Sequence, residues 1–213
     1  MQAIIFDMDG VLIDTENVSK AAFGQAFEAV GLSFGEEMYR KILGRSLKDI
    51  EHFLTETFNN PALASNIISQ RETEFANHYR KNKVVVKEGI KEFLSFSKKR
   101  KFKLAVATSA KESIAVQLLK QAELIDCFDT LIYGSQVKKA KPDPELFLKA
   151  AEHLQVSPSQ TYVIEDSESG IIAANRGGFH PVFIPEKLPT ARFSKEHRFK
   201  CYPCISDFQE SFE

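Results

Sequence analysis

The sequence is short of several things, and each shortage removes a class of function. Three cysteines, Cys127, Cys201 and Cys204, are too few to frame a chain of 213 residues with disulfides. Cys201-Tyr-Pro-Cys204 has the spacing of a redox or zinc pair, yet it falls in the last apolar segment rather than at a strand-to-helix start. A reduced chain is the simpler expectation. Charge of either sign is in no excess: 28 basic side chains stand against 29 acidic ones, a net charge of −1. No global field is available to draw in nucleic acid or an anionic membrane, so selectivity must come from a local site. No apolar run approaches a membrane span in length, and the first acid arrives at Asp7, too early for a signal peptide. A cytoplasmic location is expected. The five histidines, His52, His78, His153, His180 and His197, share no ligand spacing and read as surface or packing residues.

What is present is concentrated in four places. Ala3-Ile-Ile-Phe6 is a short apolar run of the kind that forms a strand buried on both faces. It breaks into two carboxylates at alternate positions, Asp7 and Asp9, followed by Gly10. Side chains at i and i+2 of an extended chain point the same way. Two carboxylates held that close repel unless a proton or a cation lies between them. Alone, this is an ordinary acidic turn. It gains weight because matching pieces recur downstream. Val106-Ala-Thr108-Ser109-Ala110 puts a hydroxyl just past a second apolar run, and Lys141-Pro-Asp-Pro puts a cation just before a helix. Val163-Ile-Glu165-Asp166-Ser-Glu-Ser-Gly170 then puts another acidic pair at the end of a further apolar run.

Between these places the chain changes period. After Glu16 it reads as helical as far as Lys81. Val18, Ala22, Ala26 and Val30 recur at four-residue spacing beside Phe23 and Phe27, and Gly31 is placed to end that helix. Ser46 and Asp49 resemble a capping box opening a stripe of Leu47, Ile50, Leu54 and Phe58, which Asn59-Asn60-Pro61 stops. A further helix is expected over Ala62–Arg80. Residues 15–81 therefore read as an all-helical unit inserted after the first strand.

From Val84 strands and helices alternate. Helices are expected over Ile90–Lys99, Glu112–Gln121, Glu145–Leu154 (with Pro144 at its first position) and Ser169–Arg176. Strands are expected over Phe102–Ala107, Thr130–Tyr133, Thr161–Ile164 and Val182–Ile184. Glu186–Lys200 reads as loop and Tyr202–Ile205 as a last strand. This alternation implies an α/β fold, a doubly wound parallel, Rossmann-like sheet built from residues 1–14 and 82–213.

Such sheets bring polar strand ends together at one edge. Asp7, Asp9, Asp166 and Glu165 supply hard oxygens, a donor set suited to Mg²⁺. The absence of histidine and cysteine from all four motifs counts against zinc. Lys141 alone would be a solvated loop lysine, and Thr108 alone a helix cap. Beside the carboxylates, Lys141 adds positive charge facing an incoming dianion. Thr108, with the backbone N–H groups of Ser109 and Ala110, offers hydrogen bonds to phosphate oxygens.

In this order the four motifs resemble those of the haloacid dehalogenase superfamily, and the resemblance spans nearly the whole chain. It implies that Asp7 attacks phosphorus to form an aspartyl-phosphate. It implies that Asp9 protonates the leaving oxygen and then takes a proton from the hydrolytic water. Asp7 and Asp166 would ligate Mg²⁺ through side chains and Asp9 through its backbone carbonyl, with Glu165 orienting the metal or a bound water. Dehalogenases and phosphonatases of the superfamily lack the second Asp, so Asp9 favours phosphate esters.

The 15–81 unit resembles the family's small helical cap, which closes over small substrates and excludes water. The expected partner is a small phosphorylated metabolite such as a sugar phosphate. Within the cap, Leu43-Gly44-Arg45-Ser46 reads as a turn with Arg40, Lys41 and Lys48 nearby. It is either a solvated basic surface or a substrate contact at Gly44 and Arg45, in which the guanidinium binds a group remote from the reacting phosphate.

Two other functions share parts of this pattern. β-Phosphoglucomutase-like phosphomutases share Asp14-Thr15 but carry a histidine where this chain has Ser19, a departure that favours a phosphatase. Phospho-accepting regulatory modules also combine Asp, Mg²⁺, Thr and Lys on a parallel sheet. They are shorter and lack both the helical insertion and the second Asp.

Overall fold

In a computed structural model of the chain, residues 1–43, 45–185 and 191–212 are described. Six strands form one sheet: β1 (Ala3–Phe6), β2 (Lys103–Thr108), β3 (Thr130–Tyr133), β4 (Thr161–Glu165), β5 (His180–Phe183) and β6 (Lys200–Cys201). All are parallel, in the order β3-β2-β1-β4-β5-β6. The central strand β1 pairs with β2 and β4, placing Ile5 between Ala105 and Val163. A strand covered on both faces has no solvent side on which to alternate, which is why Ala3–Phe6 is apolar throughout.

The chain divides into two units, Met1–Asp14 with Val84–Glu213, and Thr15–Lys83. The second unit is helical: α1 (Glu16–Ala29), α2 (Glu36–Ile42), α3 (Leu47–Phe58) and α4 (Pro61–Lys81). Its core is the stripe of Phe23, Ala26 and Phe27 from α1 packed with Ile50 and Leu54 from α3 and Ala64, Ile67 and Ile68 from α4. Ser46 caps α3 by accepting the Asp49 N–H at 3.1 Å, and Asn60 caps α4 by accepting the Leu63 N–H at 3.1 Å. The sequence reading gives α2 no bounds and places only the turn from Leu43 that follows it. Tyr39 and Ile42 are buried along it and Met38 packs half-buried beside them, but seven residues are too few for a period to be read.

The first unit adds α5 (Ile90–Lys99), α6 (Glu112–Gln121), α7 (Glu145–Leu154), α8 (Glu168–Arg176), α9 (Ala191–Glu196) and α10 (Ile205–Glu210). The alternation of β1 distributes these helices. Ala3 and Ile5 share one cluster with Leu146, Phe147, Ala150 and Leu154 of α7, while Phe6 meets the Phe93 ring of α5 edge-on at 6.0 Å. Both β2 and β4 run one residue further than their apolar runs, so Thr108 and Glu165 are themselves ladder residues, paired with Tyr133 and Phe183. β5 opens earlier than expected, at His180, and Pro144 is the N-cap of α7 rather than its first helical residue.

The C-terminal expectations need correction. Of the expected loop, residues 186–190 lie outside the described residues, while Ala191–Glu196 is helical and Lys200–Cys201 is strand. The expected strand over Tyr202–Ile205 is not formed. Cys204 is the N-cap of α10, because Ile205 and Phe208, three residues apart, are the side chains that find burial. Phe208 packs against Phe93 at 5.6 Å and Tyr162 at 5.3 Å. Cys201 and Cys204 therefore do flank a strand-to-helix turn, as exposed free thiols. Neither joins a metal-ligating cluster among the described residues. No described helix is long and apolar enough to cross a membrane.

Leu54 is fully buried at the centre of the helical core. In urea melts followed by circular dichroism, Leu54→Ala should cost about 2–5 kcal/mol, and loss of the cap in Ser46→Ala about 1 kcal/mol. A Leu54→Ala melt matching wild type would remove the α3 stripe from the core.

Candidate active site

Three strand ends deliver the site. Asp7 directly follows β1, and its N–H donates to Ile164 O at 3.0 Å, so the ladder itself sets where the carboxylate leaves the backbone. Thr108 ends β2, Glu165 ends β4 and Asp166 follows it. The order of strands reverses between β1 and β4, and the crevice beyond the carboxyl ends at such a reversal is where open α/β sheets hold ligands. Carboxylate oxygens of Asp7, Glu165 and Asp166 lie within 4.8 Å of one another there.

Lys141 is inserted among them. Its Nζ lies 2.5 Å from Asp7 Oδ1 and 2.6 Å from Glu165 Oε1, and 4.9 Å from the centroid of the Phe147 ring. Asp7 and Lys141 are each 7% exposed and Glu165 is wholly buried, so each charge needs its partner. The second oxygen of Glu165 accepts the Asp166 and Ser167 N–H groups, both at 3.1 Å, and the Ser167 hydroxyl at 2.9 Å. Both oxygens of Glu165 are thus engaged, one by Lys141 and the other by the turn that opens α8. Ser167 Oγ in turn accepts the Gly170 N–H at 3.1 Å as the helix N-cap.

Two glycines are required by this crowding. A Cβ on Gly170 would stand 1.9 Å from Glu165 Cδ. Gly10 has a φ of +80°, and a Cβ there would stand 1.9 Å from Asp166 Oδ2. Asp9 completes the set: the Thr108 hydroxyl reaches its Oδ2 at 3.4 Å, while the Ala110 N–H donates to Thr108 Oγ1 at 3.0 Å. The Ala110 N–H expected to face a phosphate is therefore turned onto Thr108. Ser109 is exposed, and its carbonyl lies so close to Gly134 that a Cβ there would stand 2.6 Å from it.

Electrostatics follow from the geometry. Burial, helped by the nearby Glu165 and Asp9 carboxylates, pushes the Asp7 carboxyl up to about 7 despite the pull of Lys141. Burial, with Glu165 and Asp7 beside it, likewise raises Asp166 well above the usual carboxylate range. Burial works against the Lys141 ammonium, but Asp7 and Glu165 outweigh it and hold that group above an ordinary lysine. One ammonium thus faces the acids Asp7, Asp9, Glu165 and Asp166, a deficit of positive charge lined with hard oxygens. A Mg²⁺ ion fits that donor set.

Asp7, Asp9, Thr108, Lys141, Glu165 and Asp166 are thus brought together within the sheet unit. Arg45 belongs to the helical unit, where its guanidinium lies 5.0 Å from the Phe53 ring centroid, and Gly44 lies outside the described residues. The sequence reading missed Ser167 as a support of Glu165. A Ser directly before an apolar helical stripe, the usual N-cap pattern, was the available signal.

The family model for haloacid dehalogenase-like hydrolases matches residues 4–184. A phosphorylated carbohydrates phosphatase of Thermotoga maritima is 34% identical over 187 residues, 86% of this chain and 84% of that one. A beta-phosphoglucomutase of Bacillus subtilis is 29% identical over 195 residues, 89% of this chain and 85% of that one. A solved hydrolase from Pseudomonas syringae shares the fold, with a TM-score of 0.84 at 22% identity, over 99% of this chain and 97% of its own. The chain belongs to the haloacid dehalogenase-like hydrolases.

Proposed function

We propose that the protein hydrolyses a small phosphomonoester of the sugar-phosphate kind through a phosphoryl group carried on Asp7, with Mg²⁺ in the acidic site. The observation that carries this reading is Lys141 buried against Asp7, beside Asp166, at the reversal point of the sheet. The name of the Thermotoga relative, a phosphatase of phosphorylated carbohydrates, supports the substrate class.

In this reading the Asp7 and Asp166 side chains and the Asp9 backbone carbonyl would hold the metal. Bound there, Mg²⁺ would supply positive charge against the phosphoryl oxygens and so reduce their repulsion of a carboxylate nucleophile. Asp7 attacks phosphorus, and the bond from phosphorus to the leaving oxygen breaks as that oxygen takes a proton from Asp9. Asp9, now ionised, takes a proton from a water whose oxygen attacks the phosphorus on Asp7. Inorganic phosphate leaves and the Asp7 carboxylate is restored. Lys141 keeps the Asp7 carboxylate oriented and balances charge on the group in transfer. Glu165 acts by holding Lys141 and the turn after β4. Thr108 first holds Asp9, and its hydroxyl with the Ser109 backbone is the candidate for receiving phosphate oxygens.

The helical insertion serves as a cap in this reading, and Arg45 is its candidate for a substrate group remote from the reacting phosphate. Ser19, where the phosphomutases carry a histidine, is occupied instead: its Oγ accepts from Arg71 Nη2 at 2.8 Å. This supports hydrolysis over isomerisation.

Asp7→Asn should abolish turnover of a chromogenic phosphate ester while circular dichroism stays native. Asp9→Asn should lower kcat by about 10²–10⁴-fold, the usual contribution of proton transfer. A folded Asp7→Asn with near-normal turnover ends the proposed mechanism.

The metal can be followed without turnover. Asp7 and Asp166 bind protons more tightly in the folded protein than in the unfolded chain. The metal-free protein should therefore lose stability as pH rises from the ordinary carboxyl value of 3.8 through about 7. Mg²⁺ should raise Tm, more at the alkaline end of that window than at the acid end, and Asp166→Asn should reduce both effects. Chelator should stop turnover and Mg²⁺ restore it. Full activity in chelator, with a Tm indifferent to Mg²⁺, would mean that the acids serve another purpose.

With a sugar monophosphate the enzyme should release inorganic phosphate continuously and without a bisphosphate primer. Primer-dependent isomerisation that outpaces phosphate release would replace the phosphatase by a mutase.

A further inference from the structure

Lys141 reaches its two acids from a loop, between the short turn Gly134–Gln136 and α7, and that loop is held by side chains that take no part in the chemistry above. Foremost is Glu145, the first residue of α7. Its Oε1 accepts the Lys138 N–H at 3.0 Å and its Oε2 accepts the Lys139 N–H at 2.9 Å. One carboxylate thereby fixes two consecutive peptide units, three and two residues ahead of Lys141. Hydrogen bonds to an ionised acceptor are the strong kind. The Lys138 and Lys139 N–H groups in turn hold the Glu145 carboxyl below its usual value, because they donate to its charged form.

The clamp is itself anchored. The Glu145 N–H donates to Asp143 Oδ1 at 3.1 Å. Two residues on, Phe147 is fully buried and lies beneath the Lys141 ammonium at 4.9 Å. The first turn of α7 therefore carries both the hold on the incoming backbone and the floor under the cation. Arg176 of α8 adds a bond from its Nη1 to Pro142 O at 3.0 Å on the other side of Lys141.

We propose that Glu145 is a positioning residue for Lys141, holding the backbone at 138–139 so that the ammonium arrives between Asp7 and Glu165 together. A lysine side chain is long and loses much rotamer freedom when fixed. Meeting two carboxylates at hydrogen-bond distance leaves little tolerance in where its backbone starts. An acid in the first turn of a helix also favours the helix dipole. That role alone would touch stability and leave Lys141 as it is, and this difference makes the two separable.

The effect on catalysis rests on the part given to Lys141 in the proposed function, so the experiment reads Lys141 directly as well as turnover. Glu145→Ala and Glu145→Gln are compared with wild type for kcat and KM on a chromogenic phosphomonoester with Mg²⁺. In parallel, Lys141 is acylated by a water-soluble amine-reactive ester and its modification followed by peptide mass spectrometry. Glu145→Ala should lower kcat about tenfold, equal to about 1.4 kcal/mol, with KM changed by less than about twofold. Lys141, slow to react in wild type because it is buried and paired, should become acylated several-fold faster. Glu145→Gln keeps one acceptor oxygen and should fall between, and it carries the comparison if the alanine variant does not fold. Glu152→Ala, an exposed acid on the same helix, should leave both readings at wild type. Unchanged Lys141 acylation in both folded Glu145 variants would overturn the proposal. Faster acylation with unchanged kcat would uphold the positioning and overturn instead the catalytic part assigned to Lys141.

Discussion

The ammonium of Lys141, buried between Asp7 and Glu165, is the interaction on which the site depends. Without it three carboxylates would be crowded together with no counter-charge, and without either acid a buried cation would be left half compensated. Such a pair is weak evidence for stability, since desolvation offsets most of the attraction. What it contributes is geometry, because it fixes the Asp7 carboxylate in one direction. It also leaves one ammonium against several acids, and burial, with the neighbouring carboxylates, raises Asp7 and Asp166 above the usual carboxylate range. In the proposed function a divalent cation would supply the missing positive charge.

The rest of the sheet unit can be understood as what such a cluster demands. Parallel strands place several carboxyl ends on one side, and the reversal of order at β1 and β4 opens the crevice between them. Glu165 tolerates full burial because both its oxygens are engaged, and α8 supplies that engagement by starting where it does. Gly10 and Gly170 leave room for Asp166 and Glu165, which any side chain would displace. The helix α7 backs β1 and β2 through its apolar face while its first turn holds the loop of Lys141. Packing and chemistry therefore share elements, and a change in α7 reaches both.

The fold was legible where an apolar run stood clear between turns or a helical stripe lasted several turns. Strands β1 and β3 and helices α5, α6 and α7 lie where the apolar pattern put them. The pattern failed for helices of only one or two turns, whose few apolar residues fit more than one period. Helix α2 offers Tyr39, Ile42 and the half-buried Met38 to the core over two turns, and the tail from Cys201 to Phe208 has apolar residues that suit a strand or a helix equally. There the outcome was decided by Phe93 and Tyr162, which receive Phe208 from far along the chain. The strand ends show the same limit in reverse. Thr108 and Glu165 look like residues that should leave the sheet, yet they stay in its ladder because their polar groups find partners there.

By itself the sequence determined which kinds of residue stand at the strand ends and in what order: acids, a hydroxyl, a cation, acids again. Local period and turn chemistry write those features into adjacent residues. Only the tertiary structure decided which group meets which. Lys141 and Asp7 are 134 residues apart, Thr108 and Asp9 are 99 apart, and Lys141 and Glu165 are 24 apart. Whether Glu165 would face a metal or a lysine, and whether the Ala110 N–H would face a phosphate or Thr108, depended on those meetings. They are set by strand order and by how closely backbones approach at Gly10 and Gly170, and a one-dimensional pattern of apolar and polar residues encodes neither.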